Sequence, residues 1–137
     1  MITVSKRANP YRGAHLRERT ETLLVNWRIS AHPHIWQPPT DLIELEERFI
    51  VRVEIAGVNE SDFSITLDQN LLLIQGARAD ISELRAYHQM EINFGEFFTS
   101  VEIPSPIESQ AVSAEYHHGF LWVFLPKTQS QPIPTEE

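Results

Sequence analysis

From Thr40 to Lys127 the hydrophobic pattern has a period of two, broken at short intervals by turn residues. Successive side chains of a strand point to opposite faces of a sheet, so such alternation predicts half-buried strands. "DLIELEE" sets Ile43 and Leu45 against Glu44 and Glu46, and "RFIVRVEIA" follows a short charged turn. "FSITL" places Phe63, Ile65 and Leu67 on one face, "DQN" turns, and "LLLIQG" supplies the next strand. "FFTSVEIP" aligns Phe97, Thr99, Val101 and Ile103 and stops at Pro104, which has no amide to donate. "VSAEY" and "FLWVFLP" are joined by "HHG", a hairpin loop in which Gly119 takes a positive φ. Short strands at even spacing, with turn signals between them, predict an all-β sandwich.

The last of these strands breaks the rule of alternation. Leu121, Val123 and Leu125 form one apolar row, and Phe120, Trp122 and Phe124 form another on the opposite face. If the first row is core, the second must be covered by another part of the chain, by a second subunit or by a bound molecule. The residues leave two readings open: a strand buried on both faces within one chain, or an interaction surface.

Outside this region the pattern changes. In residues 1–36, Leu16, Leu23, Leu24 and Trp27 fall at spacings compatible with one face of a helix within "AHLRERTETLLVNW". "HPHIWQPP" ends any helix, because prolines lack the amide and constrain the residue before them. Residues 1–36 therefore read as an N-terminal arm, 37–127 as the β domain, and 128–137, "TQSQPIPTEE" with Ile133 its one aliphatic residue, as a flexible tail. The helical stripe predicts packing of the arm on protein, with attachment to an anionic membrane surface as the lesser reading.

Charge sharpens this division. The chain of 137 residues has a net charge of -8, yet residues 1–36 carry Lys6, Arg7, Arg12, Arg17, Arg19 and Arg28 against only Glu18 and Glu21. An acidic domain repels phosphate, which argues against nucleic acid as a partner. A basic arm suits an acidic body instead, its own or a neighbour's. The absence of cysteine excludes disulfides and thiolate chemistry, and with no apolar leader or membrane-length run it predicts a cytoplasmic protein.

A search for chemistry returns no catalytic, cofactor or metal site. The glycines at 13, 57, 76, 95 and 119 are scattered, so no phosphate-cradling loop exists, and there is neither a Gly-x-Ser-x-Gly elbow nor a His-Glu-x-x-His helix. Glu44 and Glu46, two apart on a strand, read as a solvated outer face rather than as an acid-base pair. His32 and His34 read as linker, and His117 and His118 as a turn whose adjacent side chains point to opposite faces. The chain reads as a non-enzyme.

One ordered set of segments carries a resemblance. "W-x-P" at Trp36 to Pro38, "DLIELEERFIVRVEIAGV", "NLLLIQGAR", "YHQMEINFGEFFTSVEIP" and "AEYHHGFLWVFLPK" resemble the alpha-crystallin domain of small heat shock proteins through nearly all of residues 36–127. The combination ending in Ala114, Gly119, Leu121, Pro126 and Lys127 is specific where single pieces are weak. The resemblance implies an immunoglobulin-like sandwich, a dimer, and an ATP-independent holdase that captures unfolding client proteins without cofactor. In bacterial and plant members the loop after the "GAR" strand carries a strand exchanged between subunits. That loop corresponds here to "ADISELRAYHQMEI", with Tyr87, His88, Met90 and Glu91 at its end, and a swapped homodimer is expected.

The chain departs from the family pattern at several points. Ala56 stands where proline is usual, Thr99 where an arginine is common, and His118 where asparagine or aspartate precedes the turn glycine. The tail holds only half of the usual I-x-I pattern, at Ile133, which implies dimers or small oligomers rather than large cages. Client or assembly contacts are expected at Leu16, Leu23, Leu24, Trp27, Phe120, Trp122 and Phe124, with Ile133 as a tail anchor. The rival expectation is a co-chaperone-like sandwich that docks on one folded partner.

Overall fold

The structure, a computed structural model, describes residues 2–7 and 35–129. Eight strands form two four-stranded sheets. In chain order they are β1 (Val4–Arg7), β2 (Thr40–Glu44), β3 (Arg48–Glu54), β4 (Phe63–Asp68), β5 (Leu71–Arg78), β6 (Gly95–Glu102), β7 (Ser113–His117) and β8 (Phe120–Pro126). One sheet has the order β1-β4-β5-β6 and the other β2-β3-β8-β7. All neighbours are antiparallel except β1, which runs parallel to β4.

The core lies between the sheets and is made by alternate residues. Val51 and Val53 of β3 and Leu121, Val123 and Leu125 of β8 meet Ile65 and Leu67 of β4, Leu72 and Ile74 of β5 and Phe97 of β6, all fully or almost fully buried. Burying an aliphatic or aromatic side chain of this size contributes about 1.5–3 kcal/mol. Two contacts align the sheets. The Phe63 and Tyr116 rings pack edge to face at 5.3 Å and set β4 over β7. The Thr40 and Thr99 hydroxyls hydrogen-bond at 2.9 Å and set β2 over β6. Thr40 donates to the Pro38 carbonyl, so Thr99, the residue in place of the family's arginine, is the donor to Thr40.

The turns follow their sequences. His118 and Gly119 have φ of 53° and 82°, both positive as a two-residue hairpin of primed type requires. Here a Cβ on Gly119 would lie 2.9 Å from that of Ala56, so the small residue at 56 accommodates the hairpin tip. Asn70, closing the β4–β5 turn, donates through its amide to the Ile103 and Ser105 carbonyls and ties that turn to the end of β6.

Two expectations are corrected. β2 ends at Glu44, and Glu46 lies in the bend before β3, so the two carboxylates share no strand face. Glu44 instead pairs with Lys127 at 2.7 Å, while Ile43, expected inside, faces outward opposite Ile50. The antiparallel register with β3 decides this, because it places Leu42, not Ile43, beside inward-facing Val51. Residues 4–7, near the start of the segment read as an arm, form a strand paired with β4. Leu16, Leu23, Leu24, Trp27, His32, His34 and Ile133 lie outside the described residues.

Gly76 is the tightest point of the fold. A Cβ there would meet the Asp62 carbonyl at 2.3 Å and Phe63 and Phe97 at 2.7 Å. Gly76→Ala is expected to destabilise the fold by about 1–3 kcal/mol, the usual range for overpacking, read as a lowered urea midpoint; an unchanged midpoint would show that the site relaxes freely.

Candidate functional site

The outer face of the β2-β3-β8-β7 sheet carries the second apolar row. Register puts Ile43, Ile50, Phe124 and Ser113 side by side, then Asp41, Arg52, Trp122 and Glu115, then Glu54, Phe120 and His117. Trp122 and Phe124 are half-buried and Phe120 is 37% exposed, whereas Ile50 at 9% is sunk beneath its neighbours. The row is thus outside the core. The Phe120 and Trp122 rings lie 6.3 Å apart.

Arginines from β3 lie across this ridge. Arg48 stands 5.0 Å above the Phe124 ring, and Arg52 5.6 Å above Trp122 while its Nε donates to Asp41 at 3.0 Å. Exposed cation–π contacts contribute about 0.5–1 kcal/mol, so such a cover is readily displaced. Acidic and basic groups on β2, β3 and β7 frame a ridge of aromatics overlain by the guanidinium groups of Arg48 and Arg52. The surface can accept apolar groups and orient them by charge.

The second apolar concentration is the segment between β5 and β6, residues 79–94. Ile81, Leu84, Tyr87, Met90 and Ile92 are all exposed, Leu84 completely. Tyr87, Met90 and Glu91 line one shallow hollow with Gln89, Ile92 and Phe94. His88 is exposed nearby and does not line it. The open edge of β2, flanked by exposed Leu42 and Leu45, has no strand paired to it among the described residues.

Arg78 fastens both ends of this segment to the body. Its guanidinium donates to the Ala56 carbonyl at 3.1 Å and twice to the Asn93 carbonyl, and lies 4.4 Å over the Trp36 ring and 5.4 Å from Phe94. Trp36 is itself stitched to the edge of β6. Its amide donates to the Glu96 carbonyl, its carbonyl accepts from Phe98, and its indole donates to the Gly95 carbonyl at 3.1 Å. Nearer the tip, Arg85 donates to Asp80 at 2.7 Å and to the Tyr87 hydroxyl at 2.8 Å, and Tyr87 donates to Asp80. Hydrogen bonding from Tyr87, then from the Ile81 amide, and the Arg85 charge hold the Asp80 carboxyl below its ordinary pKa. In the core, burial raises the pKa of Tyr116, whose hydroxyl donates to the Ile55 carbonyl.

The described histidines are His88, His117 and His118. His118 enters the turn instead of continuing the strand, so its ring lies 5.1 Å from that of His117 rather than on the opposite face. No group of three or more metal-ligating side chains occurs among the described residues, and no described helix is long and apolar enough to cross a membrane.

A two-sheet sandwich with a protruding β5–β6 segment is the architecture to which comparison with known proteins also leads. The Hsp20/alpha crystallin family matches residues 41–137. The chain belongs to that family. It is 32% identical over 94 residues to small heat shock protein C2 of Rickettsia felis, covering 67% of this chain and 61% of that protein. The solved heat shock protein 16.0 of Schizosaccharomyces pombe superposes with a TM-score of 0.63 at 27% identity, over 74% of this chain and 96% of that one. A small heat-shock protein of Xylella fastidiosa, described as having a distinct high order structure, shares the fold with a TM-score of 0.65 at 23% identity, over 74% and 95% of the two chains. The chain spans about 60% of the length of the Rickettsia relatives it matches.

Sequence reasoning overlooked the role of Arg78, which ties the β5–β6 segment to Trp36 and Ala56. An arginine ending an apolar strand reads as solvated, and only the approach of residues 36, 56 and 93 reveals its work. The Asp80 latch has a sign that can be tested. A carboxyl with a depressed pKa stabilises above its unfolded value and loses that contribution as pH falls through the folded one. Asp80→Asn should therefore raise hydrogen exchange of residues 79–92 at neutral pH to the level that the native chain reaches only in acid. Equal exchange in both chains at neutral pH would remove the latch from the account.

Proposed function

We propose that this chain is a chaperone of the holdase kind, binding unfolding proteins without nucleotide and without catalysis. The observation that carries the reading is the aromatic ridge of Phe120, Trp122 and Phe124, apolar, outside the core and, among the described residues, overlain by Arg48 and Arg52. Unfolding proteins expose apolar surface, and burying it contributes ~25 cal/mol per Å². A large apolar ridge on a soluble fold serves contact with other chains. Family membership supports the same role. Leu16, Leu23, Leu24 and Trp27 of the arm are proposed as further contacts, and Ile133 as a tail anchor.

The working unit is proposed to be a homodimer in which residues 79–94 cross to a second copy. Five large apolar side chains standing in water on one segment call for cover, and the unpaired edge of β2 offers backbone partners to an extended chain. Exchange of one segment between two identical chains gives a closed, symmetric pair. Tyr87, His88, Met90 and Glu91 are the proposed contacts within it.

Light scattering of a heat-aggregating test protein, at several molar ratios and without nucleotide, tests the activity. Suppression near equimolar ratio is expected, and Trp122→Thr should weaken it several-fold with the far-UV circular dichroism unchanged. A folded protein that suppresses nothing would refute the holdase reading and favour docking on a single folded partner. Deletion of residues 79–86 should yield monomers by multi-angle light scattering; a dimer of normal mass would eliminate the exchange.

A further inference from the structure

His117 ends β7, and His118 begins the turn to β8. In an unbroken strand their side chains would point to opposite faces. His118 instead takes a φ of 53°, and its ring comes to lie 5.1 Å from that of His117, tilted by 52°. Both residues are exposed, and neither imidazole makes a hydrogen bond among the described residues, so their nitrogens are available to a ligand. Two imidazoles bound tetrahedrally to one cation, each at a metal–nitrogen distance of about 2.0–2.1 Å, have ring centres about 5 Å apart. The observed separation matches that requirement, so rotation about the side-chain bonds suffices to bring one nitrogen of each ring to a shared point.

The backbone beneath the pair is fixed. The Ile55 amide donates to the Gly119 carbonyl at 2.9 Å, and Gly119 is seated against Ala56. Ligands carried on a held turn lose little freedom on binding. The surroundings are acidic. His117 pairs in register with Phe120, whose other neighbour is Glu54, and Glu115 precedes His117 by two residues on the same face of β7. Glu54 and Glu115 are both exposed, while Arg52 in the adjoining row is engaged with Asp41. Two exposed nitrogen donors in a field of carboxylates favour a cation.

We propose that His117 and His118 form a binding site for a divalent transition cation of the zinc and copper class, held by both imidazoles with water in its remaining positions. No third protein ligand stands with them among the described residues, so the coordination shell is open. Imidazole nitrogen suits zinc, copper and nickel, whereas magnesium and calcium take oxygen donors, so the site discriminates by ligand type. The cation is held at the Phe120 end of the aromatic ridge and adds positive charge to the face that carries Glu54 and Glu115. The site stands apart from the holdase reading, since it needs neither a client nor a second copy.

Calorimetric titration of zinc chloride into the full-length chain tests the proposal, on a background of His15→Asn, His32→Asn and His34→Asn that leaves His88, His117 and His118 as the histidines. On that background His118→Asn removes one ligand while giving the turn the Asn-Gly pair that such hairpins favour, so the fold is retained. His117→Gln removes the other ligand, and circular dichroism checks that each variant is folded. Saturable zinc uptake is expected, weakened roughly tenfold or more by either substitution because one imidazole then remains. His88→Gln should leave it unchanged, and magnesium chloride should give no binding heat. Zinc uptake that survives His118→Asn, that is lost with His88→Gln instead, or that is absent from the start would overturn the inference. Magnesium bound as strongly as zinc would overturn it as well, since carboxylates rather than imidazoles would then be the ligands.

Discussion

Leu121, Val123 and Leu125 enter the space between the sheets with no exposed surface, and the facing of the whole β2-β3-β8-β7 sheet depends on that burial. The apolar pattern of β8 alone does not decide which row turns inward, because a slip of one residue would exchange two apolar rows. Its neighbours decide. Arg48, Arg52 and Glu54 on β3 and Ser113, Glu115 and His117 on β7 lie beside the aromatic row, and none of these polar groups has a place in a packed interior. The two-residue turn at His118 and Gly119 then locks β7 to β8 in that register. The aromatic ridge is therefore exposed as a consequence of pairing: its strand neighbours are amphipathic, and it must share their outer face.

That geometry also explains how a small fold presents apolar surface without collapsing on itself. The ridge is one strand wide, edged by charge on both sides and bridged by Arg48 and Arg52. Charge at its margins disfavours broad nonspecific association, and the arginine stems supply apolar cover that can move aside. The segment at 79–94 is handled differently. Among the described residues it has no comparable cover; Arg78 ties its base to the body, and the Asp80–Arg85–Tyr87 cluster braces it internally.

The sheet β1-β4-β5-β6 joins these features to the chain's first segment. Trp36 lies on one edge beneath Arg78, and β1 lies on the other over the seam. Displacement at the Arg78 end bears on both the protruding segment and the point where the arm meets the body, since one guanidinium holds both. The β1 end is held by four residues of parallel pairing, with Ile2 and Val4 packed against the core.

The strands, their order of apolar rows and the family were legible in the sequence because they rest on local rules: period-two alternation, proline and glycine at turns, and an ordered set of motifs from Trp36 to Lys127. Phe63, Ile65, Leu67, Phe97, Thr99 and Ile103 fall on the inner faces that alternation assigned to them. Where the local pattern was symmetric or too short, it could not choose. "DLIELEE" alternates whichever row faces inward, and only pairing with β3 turned Ile43 out and sent Glu44 to Lys127. "VSKR" is too short and too polar to announce a strand, and it becomes β1 by pairing with the edge of β4. Arg78 stands in the "GAR" motif, but its role had no local sign, since its partners at 36, 56 and 93 are distant in sequence. The sequence alone determined which side chains can be buried together; the tertiary structure decided which apolar row remains outside, because facing is set by the neighbouring strands and not by the strand itself.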